Sequence, residues 1–308
     1  MKNIQADIKS GNFKQVYLLY GEEAYLKQQY KQNLVKALNP DGDTMNFNHY
    51  EGKGIDVKQL IDLCETMPFF AERRVVLLED TGFFKNKCEE LADYMKELPD
   101  YLYLVFAETE VDKRNRMYKA VKACGSIAEF IRQDEKTLMR WAAGILGKAG
   151  KKITQRDMEL LLTKTGTDMG NLRMEMEKLI SCTEGRDVVT AEDIEEICTT
   201  QTTNRIFDMV RAVTEKNQKR ALELYYDLLT LKEPPMRILF LLAKQYRQLL
   251  LAKQFAAAGL AQTEIASKLG VPSFVVRNIS TCARAYTISE LEQAVEDFVD
   301  AEESVKTG

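Results

Sequence analysis

The chain has 308 residues, enough for two or three domains with cores of their own. Charged residues make up 29% and hydrophobic ones 45%, the balance of an ordinary globular protein, and a net charge of −4 excludes binding to nucleic acid by bulk electrostatics. Six cysteines, none spaced as CxxC, and one histidine, His49, argue against a zinc module, a disulfide framework or a histidine-based triad.

The opening stretch MKNIQADIKSGNFKQ has no apolar signal region, and no apolar run reaches membrane-spanning length. A cytoplasmic protein without membrane contact is the expectation. Up to residue 132 the pattern alternates strand and helix. Val16 to Tyr20 predicts a short apolar strand, and Glu22 to Leu38 has helical periodicity through Tyr25, Leu26, Tyr30, Leu34 and Leu38. Asn39-Pro40-Asp41-Gly42 is a turn, and Met45 to Tyr50 predicts a second strand in which His49 is an ordinary residue. Val57, Leu60, Ile61, Cys64 and Met67 then recur at helical spacing, and Pro68 should end that helix near Met67. Arg74 to Leu78 predicts a strand buried on both faces. Asn86 to Leu98 is predicted helical, Tyr101 to Ala107 a buried strand, Asp112 to Cys124 helical, and Ile127 to Ile131 a last strand. Such alternation implies a mostly parallel sheet covered on both faces.

In sheets of this kind the first strand-to-helix turn is the usual phosphate site. Laid on G-x-x-x-x-G-K-[ST], the stretch from Gly21 to Gln28 keeps Gly21 and Lys27, but Leu26 replaces the second glycine and Gln28 the hydroxyl that would hold Mg²⁺. Glu22 and Glu23 would also repel a triphosphate. The carboxylates Glu79-Asp80 end a hydrophobic strand, where nucleoside-triphosphatases hold magnesium, but strand ends are commonly polar and the matching loop is broken. No cofactor, no metal and no hydrolysis are expected.

Phe69-Phe70 stands between the helix and the strand that follows. Both rings could plug the local core, which is the reading the pattern alone favours, or they could form an exposed anchor for a partner. Two phenylalanines buried in a partner would give roughly 3–6 kcal/mol, the scale of an interface hot spot.

From Asp134 onward the pattern becomes purely helical. Asp134–Leu146, Thr154–Lys164, Asp168–Cys182 and Thr190–Cys198 each carry a capping candidate, and Thr199 to Thr203 reads as a linker. A second helical block follows, with helices over Arg205–Glu215, Gln218–Leu231, Pro235–Ala258, Thr263–Leu269, Pro272–Tyr286 and Ser289–Ser304. The expected domains are therefore 1–132, 133–203 and 204–308. Ala261 to Ile279 has the spacing of a helix-turn-helix, a pattern that ordinary helix pairs share, so base readout is the less favoured reading. By count, Arg205 to Tyr286 holds 13 basic and 6 acidic residues and Thr287 to Gly308 holds 1 and 7. That contrast suits contact with nucleic acid or an acidic neighbour, or a solvated face partly neutralised by the last helix.

In order and spacing, the stretches VYLLYGEEAYL, MPFFAERRVVLLED, GTDMGNLRMEMEKLI, TTNRIFDMVRAV, EIASKLGVPSFVVRN and SVKTG resemble the delta subunit of the bacterial DNA polymerase III clamp loader over essentially the whole chain. The resemblance implies an AAA+-type architecture: a RecA-like α/β domain, a helical lid and an all-α collar. It implies a wedge at Phe69 and Phe70, supported by Met67 and Arg73, that inserts into the sliding clamp and helps open it. Met67-Pro68-Phe69-Phe70-Ala71 departs from the Ser-Leu-Phe-type form of some relatives, which leaves the packing in the clamp pocket open. The resemblance also implies a degenerate nucleotide site, no enzymatic activity of the chain's own, assembly with motor and delta-prime-like subunits through the collar, and DNA contact within the assembled loader. The rival readings are an ATP-binding AAA+ ATPase and a helix-turn-helix regulator.

Overall fold

The computed structural model describes residues 2–199 and 202–307. The chain forms two compact units, Met1–Gln133 and Asp134–Gly308.

In the first unit, α1 (Lys2–Ser10) leads into β1 (Val16–Tyr20), α2 (Ala24–Leu38), β2 (Phe47–Glu51), α3 (Val57–Cys64), β3 (Arg74–Glu79), α4 (Glu89–Tyr94), β4 (Leu102–Glu108), α5 (Arg116–Cys124) and β5 (Ser126–Glu129). The five strands pair in parallel in the order β2-β3-β4-β1-β5. Successive residues of a strand face opposite sides, so the apolar runs split between two cores. Val16, Leu18, Val76, Leu78, Leu104 and Phe106 pack with Leu60 and Cys64 of α3, Leu91 of α4 and Met117 and Val121 of α5. Tyr17, Leu19, Val75, Leu77 and Val105 pack with Ile4 of α1 and Leu34 and Leu38 of α2. The chain leaves β1 through α2 on one face and leaves β4 through α5 on the other. The carboxyl ends of β1 and β4 thus flank the topological switch point where such sheets bind ligands.

In the second unit, α6 (Glu135–Lys148), α7 (Gln155–Thr165), α8 (Met169–Cys182) and α9 (Ala191–Ile197) enclose one core. Side chains at the N-caps fix their starts: Asp134 accepts from the Thr137 amide, Thr154 from Asp157, Asp168 from Asn171, and Thr190 forms a capping box with Asp193. The purely helical expectation misses a parallel two-stranded sheet, β6 (Lys152–Ile153) with β7 (Val188–Val189), whose strands are too short to show a period in sequence. The remaining helices are α10 (Thr202–Thr214), α11 (Gln218–Thr230), α12 (Pro235–Ala257), α13 (Gln262–Leu269), α14 (Ser273–Ala283) and α15 (Ile288–Thr307). Of the expected linker, Thr200 and Gln201 lie outside the described residues, and Thr202 and Thr203 belong to α10. Among the described residues no helix is long and apolar enough to cross a membrane, and no three or more His, Cys, Asp or Glu side chains come together as a set that could hold a metal ion.

The helix-turn-helix lookalike is α13 and α14, joined through Gly270, whose φ of +64° makes the left-handed turn. Its second helix buries Phe274, Val276, Ile279, Cys282 and Ala283, and Arg277 is paired with Glu159 at 3.0 Å. Arg277, the basic residue of this helix, is thus matched within its own unit.

Candidate protein-binding loop and the opposite sheet edge

The helical spacing through Met67 overstates α3, which ends at Cys64. The Glu65 and Thr66 amides close the last turn on Ile61 and Leu63, at 2.9 and 3.1 Å. Beyond them Pro68 has no amide to continue it and excludes helical geometry for the residue before it. Met67, 77% exposed, faces water rather than the core. From there to β3 the backbone is held by side chains rooted in the sheet. The Arg74 guanidinium donates to the Thr66 carbonyl at 2.9 Å, the Met67 carbonyl at 3.2 Å and Asn48 Oδ1 at 3.2 Å. The Tyr101 hydroxyl donates to the Glu65 carbonyl at 2.8 Å. The Asn46 side chain takes both polar groups of Phe69: its Oδ1 accepts the amide at 2.6 Å and its Nδ2 donates to the carbonyl at 2.8 Å.

On this frame Phe69 and Phe70 are 57% and 94% exposed. They do not plug the local core, as the pattern alone favours. Their rings meet edge to face with centroids 4.5 Å apart, so the pair forms one aromatic knob. Phe70 has a φ of +51°, a left-handed conformation that is strained for a bulky residue. Arg73 is placed differently from the knob, its guanidinium lying 5.3 and 5.5 Å from the ring centres of Phe13 and Tyr103.

The stretch from Gly21 to Gln28, laid above on the phosphate motif, lies at the carboxyl ends of the strands, the opposite edge of the sheet. Only residues 21–23 separate β1 from α2, so the helix begins inside the span that a P-loop would wrap around phosphates. The Lys27 amide already donates to the Glu23 carbonyl at 3.1 Å and the Glu23 amide to the Phe130 carbonyl at 3.0 Å. Gly21 has a φ of +123°, and a Cβ there would sit 2.3 Å from the Phe130 carbonyl oxygen. Leu26 packs against the core on the α2 face, and Gln28 lines a cleft beside Lys31. The Lys27 ammonium donates to the Glu108 carbonyl at 2.9 Å; burial lowers its pKa while Asp80, Glu108 and Glu79 oppose that shift.

The strand-end acids are engaged as well. Glu79 pairs with Lys31 at 2.5 Å and His49 at 2.9 Å, and Asp80 accepts from the Thr109 amide and hydroxyl at 2.9 and 2.8 Å. Glu108, 2% exposed, accepts from the Thr81 hydroxyl at 2.6 Å and the Thr81 amide at 3.1 Å. Burial raises its pKa in spite of those bonds.

Two family models match the chain, one for the DNA polymerase III delta subunit over residues 17–130 and one for the C-terminal domain of the same family over 203–308. The chain belongs to the DNA polymerase III delta-subunit family. It is similar to the DNA polymerase III subunit delta of Bacillus subtilis (strain 168), 26% identical with 99% of this chain and 92% of the relative covered. It is also similar to the probable DNA polymerase III subunit delta of Aquifex aeolicus (strain VF5), 21% identical over 91% and 83% of the two chains. In fold it matches the Bacillus subtilis DNA clamp loader delta protein with a TM-score of 0.65 at 24% identity, covering 100% of this chain and 94% of that one. Membership makes this delta-family chain part of a clamp loader, with a role in DNA replication, as its motifs imply.

Of the expected site residues, the structure brings Met67, Phe69 and Phe70 onto one loop and sets Gly21, Leu26, Lys27 and Gln28 around the closed β1–α2 turn. Asn46, Arg74 and Tyr101, which hold the loop, do not stand out in the sequence. Arg74 is visible there only as the first residue of a strand, and the one hint is a charged residue opening a run that must be buried on both faces.

Proposed function

We propose that this chain binds the ring-shaped sliding clamp through Phe69 and Phe70, with Met67 beside them and Arg73 bounding the loop, and helps open the ring for loading onto primed DNA. The exposed knob held on a fixed backbone is the observation that carries the reading. A pair of rings that packs on itself rather than on the protein offers apolar area to a partner pocket, worth roughly 3–6 kcal/mol if both are buried. Opening follows if the knob fits the distorted ring interface better than the closed one, since only such differential affinity shifts a ring equilibrium.

On this reading the protein does no chemistry and takes no nucleotide. The Glu23 amide is bonded to the Phe130 carbonyl, the Lys27 amide lies inside helix α2, and the Lys27 ammonium is turned to the Glu108 carbonyl. The α/β unit corresponds to the RecA-like AAA+-type domain, residues 133–203 to a lid and 204–308 to a collar that joins motor and delta-prime-like subunits, with DNA met in the assembled loader. The cytoplasm is the matching compartment. The test compares clamp affinity of the wild type with that of the Phe69→Ala/Phe70→Ala double variant. A loss on the order of 3 kcal/mol or more, with circular dichroism unchanged, supports the wedge. Equal binding by the two proteins overturns it.

A further inference from the structure

Two exposed phenylalanines on a free loop would fold back onto the nearest apolar surface, because water drives them there. What prevents this is visible in the backbone beneath them. Asn46 is 4% exposed, sits at the start of the edge strand β2, and accepts the Val75 amide of β3 at 2.9 Å through its own carbonyl. Its side-chain amide has one acceptor and two donor positions at the spacing of a peptide group, and it uses them on the Phe69 amide, the Phe69 carbonyl and the Asp43 carboxylate. Asp43 thereby fixes which way the amide faces. Arg74 grips the two residues ahead of Pro68 in the same manner and is itself buried.

We infer that Asn46, assisted by Arg74, is the positioning residue of the clamp-binding loop: it pairs with the Phe69 peptide as a neighbouring strand would and so holds Phe69 and Phe70 outward in a binding-ready geometry. The inference rests on the proposed clamp reading and adds the device that presents the knob. Asn46 touches no partner. Its effect is to remove the ordering that a loose loop would undergo on binding, a general source of affinity.

The experiment measures binding of the full chain to its cognate sliding clamp by surface plasmon resonance, for wild type, Asn46→Ala, Arg74→Lys and Phe69→Ala/Phe70→Ala. Hydrogen exchange at the Phe69 amide is followed in the free proteins. Asn46→Ala is expected to weaken binding about ten-fold and to speed exchange at Phe69, with cooperative urea unfolding retained. Arg74→Lys, which keeps the buried charge but loses the fork to Thr66 and Met67, is expected to weaken binding to a smaller extent. If Asn46→Ala fails to fold, Arg74→Lys decides with the same two readouts. Wild-type affinity and slow Phe69 exchange in the positioning variants, beside lost binding in the double phenylalanine variant, overturn the inference and leave the wedge standing. Undiminished binding by the double phenylalanine variant removes the wedge and the positioning role together.

Discussion

The two edges of the parallel sheet, separated along β3 by about 17 Å of extended chain, present opposite solutions to one problem. At the carboxyl edge, where a sheet of this topology would receive a nucleotide, the Glu23 and Lys27 amides, the Lys27 ammonium and the strand-end acids are bonded within the chain. At the amino edge, Asn46 and Arg74 bond the backbone of the loop from the sheet, and two rings are left standing in water. Internal hydrogen bonds tie down both edges, and the amino edge leaves aromatic surface exposed. Internal hydrogen bonding therefore does not by itself separate the two edges; what the bonds leave exposed does.

The largest expected effect lies at the closed edge. Gly21→Ala puts a Cβ against the Phe130 carbonyl at a φ that side chains rarely adopt. A loss of about 3 kcal/mol in urea unfolding is expected. Phe70→Ser, at the open edge, should change stability by less than about 0.5 kcal/mol, since the ring packs mainly on Phe69. Equal losses in the two variants would erase the contrast between the edges.

A smaller effect is expected at Glu108. Gln keeps an acceptor for the Thr81 amide and hydroxyl, so Glu108→Gln should cost about 1 kcal/mol or less. The sign with pH is definite. Burial raises the folded pKa, so this group's contribution is complete below the unfolded carboxylate range and declines as pH rises through the folded value. The stability of Glu108→Gln relative to wild type should accordingly improve between about pH 4 and pH 7. A flat difference in paired urea titrations would show that the carboxylate is not burdened by burial.

The smallest expected effect is none. Leu26→Gly with Gln28→Thr rewrites the letters of the phosphate motif, yet α2 still begins at Ala24 and the Lys27 amide remains in the helix. Calorimetry with ATP and Mg²⁺ should show no binding. Heat at micromolar ATP would mean that side-chain identity, and not the short turn, closes the site.

That case marks what could be read from residues. The missing glycine, the missing hydroxyl and the short turn were all legible, since the helix expected from Glu22 starts two residues before α2 does. The bond from the Glu23 amide to the Phe130 carbonyl was not, because no local pattern pairs positions so far apart. The five strands were legible for the opposite reason: runs such as Val75 to Leu78 are buried on both faces and have few alternative readings. Helix α1 was missed because its core signal is little more than Ile4 and Ile8. Met67 fell on the helical spacing by coincidence, and Pro68 decided against it. Asn46 was illegible in principle, since a buried amide that grips a backbone looks in sequence like any solvated polar residue.

The collapsed β1–α2 turn has a consequence for control. In a nucleotide-driven domain, exchange of one phosphate state for another moves loops and thereby exposes or hides a binding element. On the proposed reading this domain carries no such clock, and its knob stays raised at all times. Timing must then be imposed by shielding: a neighbouring body that covers Phe70 and later withdraws would act as the shutter for an element that cannot itself switch off.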